Sequence, residues 1–206
     1  MTILQTTRLL LHEFAPEDAE ALARVLSDPE TMRYYPAPYD RAGVEQWISR
    51  NCQRYKNDGV GLWAMVLKSS PGSADTPFDC AQGMPVRAGS DGPAGTRTIA
   101  SAPHYKLIGD CGITRQEVEG EHLYEIGYHL RRDLWGQGLA TEAAVACRDW
   151  GFEHLKAERL ISLIRPENLS SRRVAERNGM TIWKEIEWRG LPHCVYVVER
   201  CAAPSK

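Results

Sequence analysis

The segment RRDLWGQGLATEAA, Arg131 to Ala144, constrains the fold more than any other part of this chain. A strand-like run, EIGYHL, leads into it and an alanine-rich helical pattern leaves it, so two glycines around one glutamine must turn strand into helix. Glycine accepts positive φ and lets another group approach the backbone, while a helix start leaves its first N–H groups without partners inside the helix. With the helix dipole behind them, such groups hold an anion without any lysine. A pyrophosphate suits donors spread from Gly136 to Thr141. The rival is a dinucleotide fingerprint, since Gly136 and Gly138 give G-x-G, but Thr141 stands at the third glycine position. That fingerprint also belongs to a parallel βαβ unit, and the strands before this turn read as a meander.

The rest of the chain supplies the frame. RLLLHEF (Arg8 to Phe14) predicts a short strand, and APEDAEALARVLSDPE a helix with proline and acidic residues at its start and Ala19, Leu22 and Leu26 on one face. DRAGVEQWISRNCQRYKNDG predicts a second helix, with Val44, Trp47, Ile48 and Tyr55 apolar and Gly59 as its stop. Leu62 to Lys68, Lys106 to Val118 and Leu123 to Leu130 read as three antiparallel strands. After the glycine turn, Leu139, Ala143, Ala146 and Trp150 form the expected buried stripe of a helix. RLISLIRP is then a strand, NLSSRRVAERNGM a helix ending at Gly179, and TIWKEIEW and HCVYVVER two closing strands. The order β α α β β β α β α β β predicts an α/β fold with a mixed, mostly antiparallel sheet flanked by helices.

Residues 69–104 stand apart: Gly, Pro, Ser and Ala fill 21 of these 36 positions, and the apolar ones follow neither period. Such a composition cannot bury enough surface to offset ordering entropy, so the stretch reads as a disordered insertion at a sheet edge within one domain, residues 1–206. A formal charge of −2 and a pI near 6.3 give no basic field for nucleic acid or an anionic membrane. No run of eighteen apolar residues and no secretory leader pattern occur, which predicts a cytoplasmic protein. The six cysteines lack a C-x-x-C pair and read as reduced core residues; the histidines lack metal-ligand spacing, and no G-x-S-x-G elbow occurs. No metal is expected.

EIGYHLRRDLWGQGLATEAA, followed at the proper distance by IRPENLSSRRVAERNGM, resembles the GNAT superfamily of acetyl-CoA-dependent N-acetyltransferases, in the RimJ/RimL-like branch that acetylates protein N-termini among other amines. The likeness covers nearly all of the chain outside the insertion. It implies a GNAT fold whose strands splay at the cofactor site, with acetyl-CoA as co-substrate. The family's Q/R-x-x-G-x-G/A signature corresponds to Trp135, Gly136, Gln137, Gly138, Leu139 and Ala140, with Trp135 departing from the first position. The resemblance further implies backbone contacts from Tyr128, His129 and Leu130 to pantetheine, and a hydrogen bond from Asn168, which also suits a helix cap.

Direct acyl transfer requires a neutral amine, an oxyanion donor and a proton for the departing thiolate. Backbone N–H groups at the splay suit the second need. Glu125, acting through water, is the candidate base. Many GNAT members use a tyrosine on the helix after the second strand, but none occurs between Asn168 and Met180; Ser171, three residues after Asn168, matches the serine of the ribosomal-protein type, and the resemblance thus implies it as the candidate at the thiolate. SSRRVAER is a basic face that suits either the cofactor's 3′-phosphate or solvent. The acceptor is a protein N-terminus or a small-molecule amine, and a homodimer is compatible with the resemblance. A non-catalytic acyl-CoA-binding regulatory module would keep the same turn.

Overall fold

A computed structural model describes residues 2–68, 78–79, 84–85 and 106–200. The chain opens with a hairpin, β1 (Thr2–Gln5) and β2 (Leu9–His12), followed by a 3-10 turn and helices α1 (Ala19–Leu26) and α2 (Arg41–Asp58). Three strands come next, β3 (Leu62–Leu67), β4 (Leu107–Val118) and β5 (Glu121–Leu130). Helix α3 (Leu139–His154), strand β6 (Arg159–Ile164), helix α4 (Leu169–Arg177) and the hairpin β7 (Thr181–Trp188) and β8 (Leu191–Glu199) complete the order. These eight strands form one sheet in the order β1-β2-β3-β4-β5-β6-β8-β7, antiparallel except where β5 meets β6. The α/β class and the mostly antiparallel sheet agree with the sequence pattern. Most of the predicted insertion lies outside the described residues.

Period-two alternation sends the side chains of one strand to two different cores. On β3, Trp63 and Met65 join Ile108, Cys111, Ile113 and Ile126 under α3, whereas Leu62 and Ala64 meet Leu22, Leu26, Val44 and Ile48 from α1 and α2. Helix α2 starts where the Asp40 side chain accepts the Gly43 N–H at 2.7 Å, and it stops at Gly59, whose φ is 70°. No helix among the described residues is long and apolar enough to cross a membrane. Cys52, Cys111, Cys147 and Cys194 are free thiols, Cys52 half-buried and the others buried; Cys80 and Cys201 lie outside the described residues.

Three local differences from the sequence pattern have physical reasons. The pattern opens on one strand, but Thr2–Gln5 adds an edge strand whose four residues are too few to show a period. The predicted first helix shortens to Ala19–Leu26, because residues 28–35 turn back to carry Tyr39, whose N–H bonds the Leu26 carbonyl at 2.9 Å. On α3 the buried stripe is Leu139, Ala143, Cys147 and Gly151, with Ala146 and Trp150 half-buried at its margin. Gly151 brings the helix close to the sheet: a Cβ there would lie 2.9 Å from the Ile113 side chain.

The feature that positions the site is an opening in the sheet. β5 and β6 are paired at Glu125 and Ile161 alone, and beyond that point the strands part. Side chains span the widening gap: Ser162 Oγ donates to the Ile126 carbonyl at 2.8 Å, and the Tyr128 hydroxyl donates to the Ser171 carbonyl on α4 at 2.9 Å.

Candidate active site

The glycine turn closes one end of that opening. After β5 the chain makes a 3-10 turn, Arg132–Leu134, and the Trp135 indole N–H donates back to the Leu130 carbonyl at 2.8 Å. Gly136 and Gly138 both adopt positive φ, 77° and 76°, which makes the turn possible. Gly138 is the cap of α3 and offers no side chain to the helix, so the first N–H groups of Leu139, Ala140 and Thr141 face outward without intrahelical partners. Sixteen residues of aligned helix dipole stand behind them.

The first hairpin braces this turn from behind. Arg8 donates from Nη1 to the Gln137 carbonyl at 2.9 Å and from Nε to Glu142 Oε2 at 2.6 Å. Glu142 Oε1 accepts the Thr6 hydroxyl at 2.5 Å and the Arg8 N–H at 2.8 Å. Burial alone would raise the Glu142 pKa, but these donors and the Arg8 charge hold it below its ordinary value.

A cavity of about 320 Å³ opens between the turn, the end of β5 and α4. Of the sequence-predicted residues, Tyr128, His129, Leu130, Trp135, Gly136, Gly138, Leu139, Ala140, Thr141, Asn168 and Ser171 line it. Asn168 is a helix cap as well, its Oδ1 accepting the Ser171 N–H at 3.1 Å. Two predicted residues stand outside the lining. Gln137 turns its carbonyl to Arg8, and Glu125 sits where the strands begin to part. There the Glu125 carboxylate accepts from Gln116 Nε2 at 2.7 Å and from the Leu163 N–H at 3.4 Å. Burial pushes its pKa up; these donors, and the charges of Arg54 and Arg189, pull the other way without overcoming it.

The far wall is one that the sequence pattern missed. It comes from the connection between α1 and α2, which contributes Thr31, Tyr34 and Tyr35; beside it stand Arg173 and Arg177, on the α4 face that the sequence had marked as basic and suited to a 3′-phosphate. The Tyr34 hydroxyl donates to the Glu167 carbonyl at 3.1 Å and so ties that connection to the loop before α4. Three tyrosines in the stretch TMRYYPAPY were the available signal.

A buried polar line runs inward from this wall. Asp110 on β4 is fully buried; its Oδ2 accepts the Trp47 indole N–H at 2.9 Å and its Oδ1 lies 2.7 Å from His129 Nδ1. His129 Nε2 is 2.7 Å from the Tyr35 hydroxyl. Because a carboxylate only accepts, Nδ1 carries the imidazole proton and Nε2 accepts from Tyr35. Tyr35 is 41% exposed, but its hydroxyl turns in to His129; desolvation there raises its pKa and the nearby Glu125 and Asp110 charges raise it further, so the phenol keeps its proton. The sequence reading gave His129 a backbone role alone; the structure adds this side-chain one. An aspartate inside the apolar run KLIGDCG was the trace of it.

Residues 8–181 match the Acetyltransferase (GNAT) domain family. The YkkB protein of Bacillus subtilis is 32% identical over 196 residues, covering 95% of this chain and 94% of that protein. The acetyltransferase of Agrobacterium tumefaciens str. C58 superposes with a TM-score of 0.69 at 26% identity, covering 97% of this chain and 95% of that one. RimL, a ribosomal L7/L12 α-N-protein acetyltransferase solved with coenzyme A, shares the fold at 13% identity, with a TM-score of 0.65 and coverage of 97% and 98%. An uncapped helix start after a positive-φ glycine turn, at the mouth of a parted sheet, is thus met in a chain that belongs to the GNAT acetyltransferase family, whose members are acetyl-CoA-dependent N-acetyltransferases.

Proposed function

We propose that the cavity binds acetyl-CoA and that its acetyl group passes by direct attack to a primary amine, either a protein N-terminal α-amino group, as in the RimJ/RimL-like branch, or a small-molecule amine. The observation that carries this reading is the outward-facing helix start of Leu139–Thr141, which opens on the same cavity as the gap between β5 and β6. The pyrophosphate sits on the N–H groups of Gly136 to Thr141, and pantetheine runs along Tyr128, His129 and Leu130 with Asn168 opposite. Arg173 and Arg177 line the same cavity and suit the third phosphate, so the basic face of α4 is more than a solvated surface.

The acceptor amine must be neutral to attack. An α-amino group titrates near ~8 and a lysine near ~10.4, so an N-terminal acceptor asks far less of a base. Glu125, whose pKa burial raises above its ordinary value, is the proposed base through water, and Ser171 on the first turn of α4 is the proposed partner of the leaving thiolate. The test is release of free thiol from acetyl-CoA across a panel of short peptides with free N-termini and small primary amines. Turnover with at least one of them is expected. Tight binding of acetyl-CoA with no thiol release from any amine would favour a regulatory acyl-CoA-binding module instead.

A further inference from the structure

An ammonium that becomes an amide loses two protons from nitrogen, and only the first can leave before attack. Once nitrogen has bonded to the thioester carbon it is positively charged and must lose another, while the departing sulfur must gain one. Glu125 accounts for the first transfer. We infer that Tyr35, His129 and Asp110 form a proton shuttle that carries the second proton from the attacked nitrogen to the sulfur. The inference rests on the acetyl-transfer reading above.

The geometry has the parts of a relay in the right order. Tyr35 and His129 both line the cavity, whereas Asp110 is wholly buried behind them. Asp110 fixes the imidazole with its proton on Nδ1, which leaves the Nε2 lone pair facing the Tyr35 hydroxyl at 2.7 Å. The Trp47 indole occupies the second carboxylate oxygen at 2.9 Å and packs edge-on against the imidazole, with ring centroids 5.4 Å apart. Each Asp110 oxygen thus has one donor, so the carboxylate is fixed in place. It is held so that a charge formed on His129 meets a fixed opposite charge in a buried place.

The step balances. As the N–H bond of the tetrahedral adduct breaks, its proton passes to the Tyr35 oxygen while the Tyr35 proton passes to Nε2, making an imidazolium beside the Asp110 carboxylate. When the oxyanion collapses and the C–S bond breaks, the thiolate, steadied by a hydrogen bond from the Ser171 hydroxyl, takes its proton from Tyr35, which regains one from Nε2. The relay ends as it began, and the products are amide and free thiol. Asp110 from β4 and Tyr35 from the α1–α2 connection contact the imidazole directly; Tyr39 of the same connection and Glu125, four positions before His129 on its strand, act on Tyr35. From α2, Arg50 stands over the Trp47 ring and Arg54 acts on Glu125.

The experiment uses an amine on which the wild-type chain releases thiol. It compares pH–rate profiles of wild type, Tyr35→Phe and His129→Gln, with acetyl-CoA affinity by calorimetry and thermal stability for each. Tyr35→Phe keeps the ring and removes only the hydroxyl. It is expected to lower kcat about tenfold or more while KM and the acetyl-CoA dissociation constant stay within about twofold. His129→Gln is expected to lower kcat to a similar degree, with KM and acetyl-CoA affinity likewise within about twofold. A Tyr35→Phe enzyme with wild-type kcat and pH profile overturns the shuttle, as does a loss confined to KM, affinity or stability, which marks the line as a strap for the connection. If wild type acetylates no amine while it binds acetyl-CoA, the acetyl-transfer reading fails instead.

Discussion

Burial of Glu125 has two opposed consequences. A carboxyl whose native pKa is raised binds its proton more tightly folded than unfolded, so its contribution to stability is full below the unfolded value, about 4.3, and is lost as pH rises through the native one. Glu125→Gln should therefore melt higher than wild type at pH 7, with the difference shrinking toward pH 4. The same variant should acetylate more slowly below the amine's own pKa, and the deficit should close as pH rises and free amine forms unaided. A rate equal to wild type across pH removes Glu125 as the base. Ser171→Ala should lower turnover about 10-fold, or ~1.4 kcal/mol of transition-state stabilisation, at unchanged cofactor affinity. Glu142 behaves in the opposite sense to Glu125. Its lowered pKa gives stability that is present above about 4.3 and is lost as pH falls through the native value. Melting curves should show Glu142→Gln less stable than wild type at pH 7 and equal to it in acid; an equal deficit at both would mean that the Thr6 and Arg8 bonds matter for shape and not for charge.

Among the elements, the glycine turn and α3 were legible because their signals are local. Two glycines, a preceding strand and a following helix lie within twenty residues, and Gly136 and Gly138 adopt the positive φ that the pattern required. β1 was not legible, since a four-residue edge strand shows no period, and the shifted stripe of α3 depends on how closely Gly151 lets the helix approach the sheet. Nor did the sequence show that Arg8 and Glu142 brace the turn, because those partners are 134 positions apart. The β3–β4 hairpin permits a direct test of residues 69–104. Leu67 N–H bonds the Lys106 carbonyl at 3.2 Å, so the strands are already in register where the chain leaves them. Joining Lys68 to Tyr105 through Asn-Gly should leave melting temperature and acetyl-CoA affinity near wild type, as a two-residue turn suits such strands. A large loss of stability would show that the removed stretch packs on the fold; lost activity at full stability would make it part of acceptor binding.

Taken together, the sheet and its two helical layers put different work on the two sides of one opening. The α3 and α4 side presents the helix start, Asn168 and Ser171, and the α1 and α2 side presents Tyr35, His129 and Asp110. The first side could be read from motif spacing. The second could not, because Tyr35 and His129 are 94 positions apart and their partnership depends on the path of an irregular connection. The central claim is that the Gly136–Thr141 turn holds the pyrophosphate of acetyl-CoA through backbone N–H groups. Calorimetric titration of acetyl-CoA into wild type, Gly138→Ala and Gly138→Asp tests it most directly. Both variants incur the strain of positive φ, about 1–2 kcal/mol, but only aspartate adds a negative charge at the helix start, beside the N–H groups that would hold the phosphates. Folded Gly138→Ala should bind measurably and folded Gly138→Asp not at all; an unchanged dissociation constant in Gly138→Asp would contradict the account.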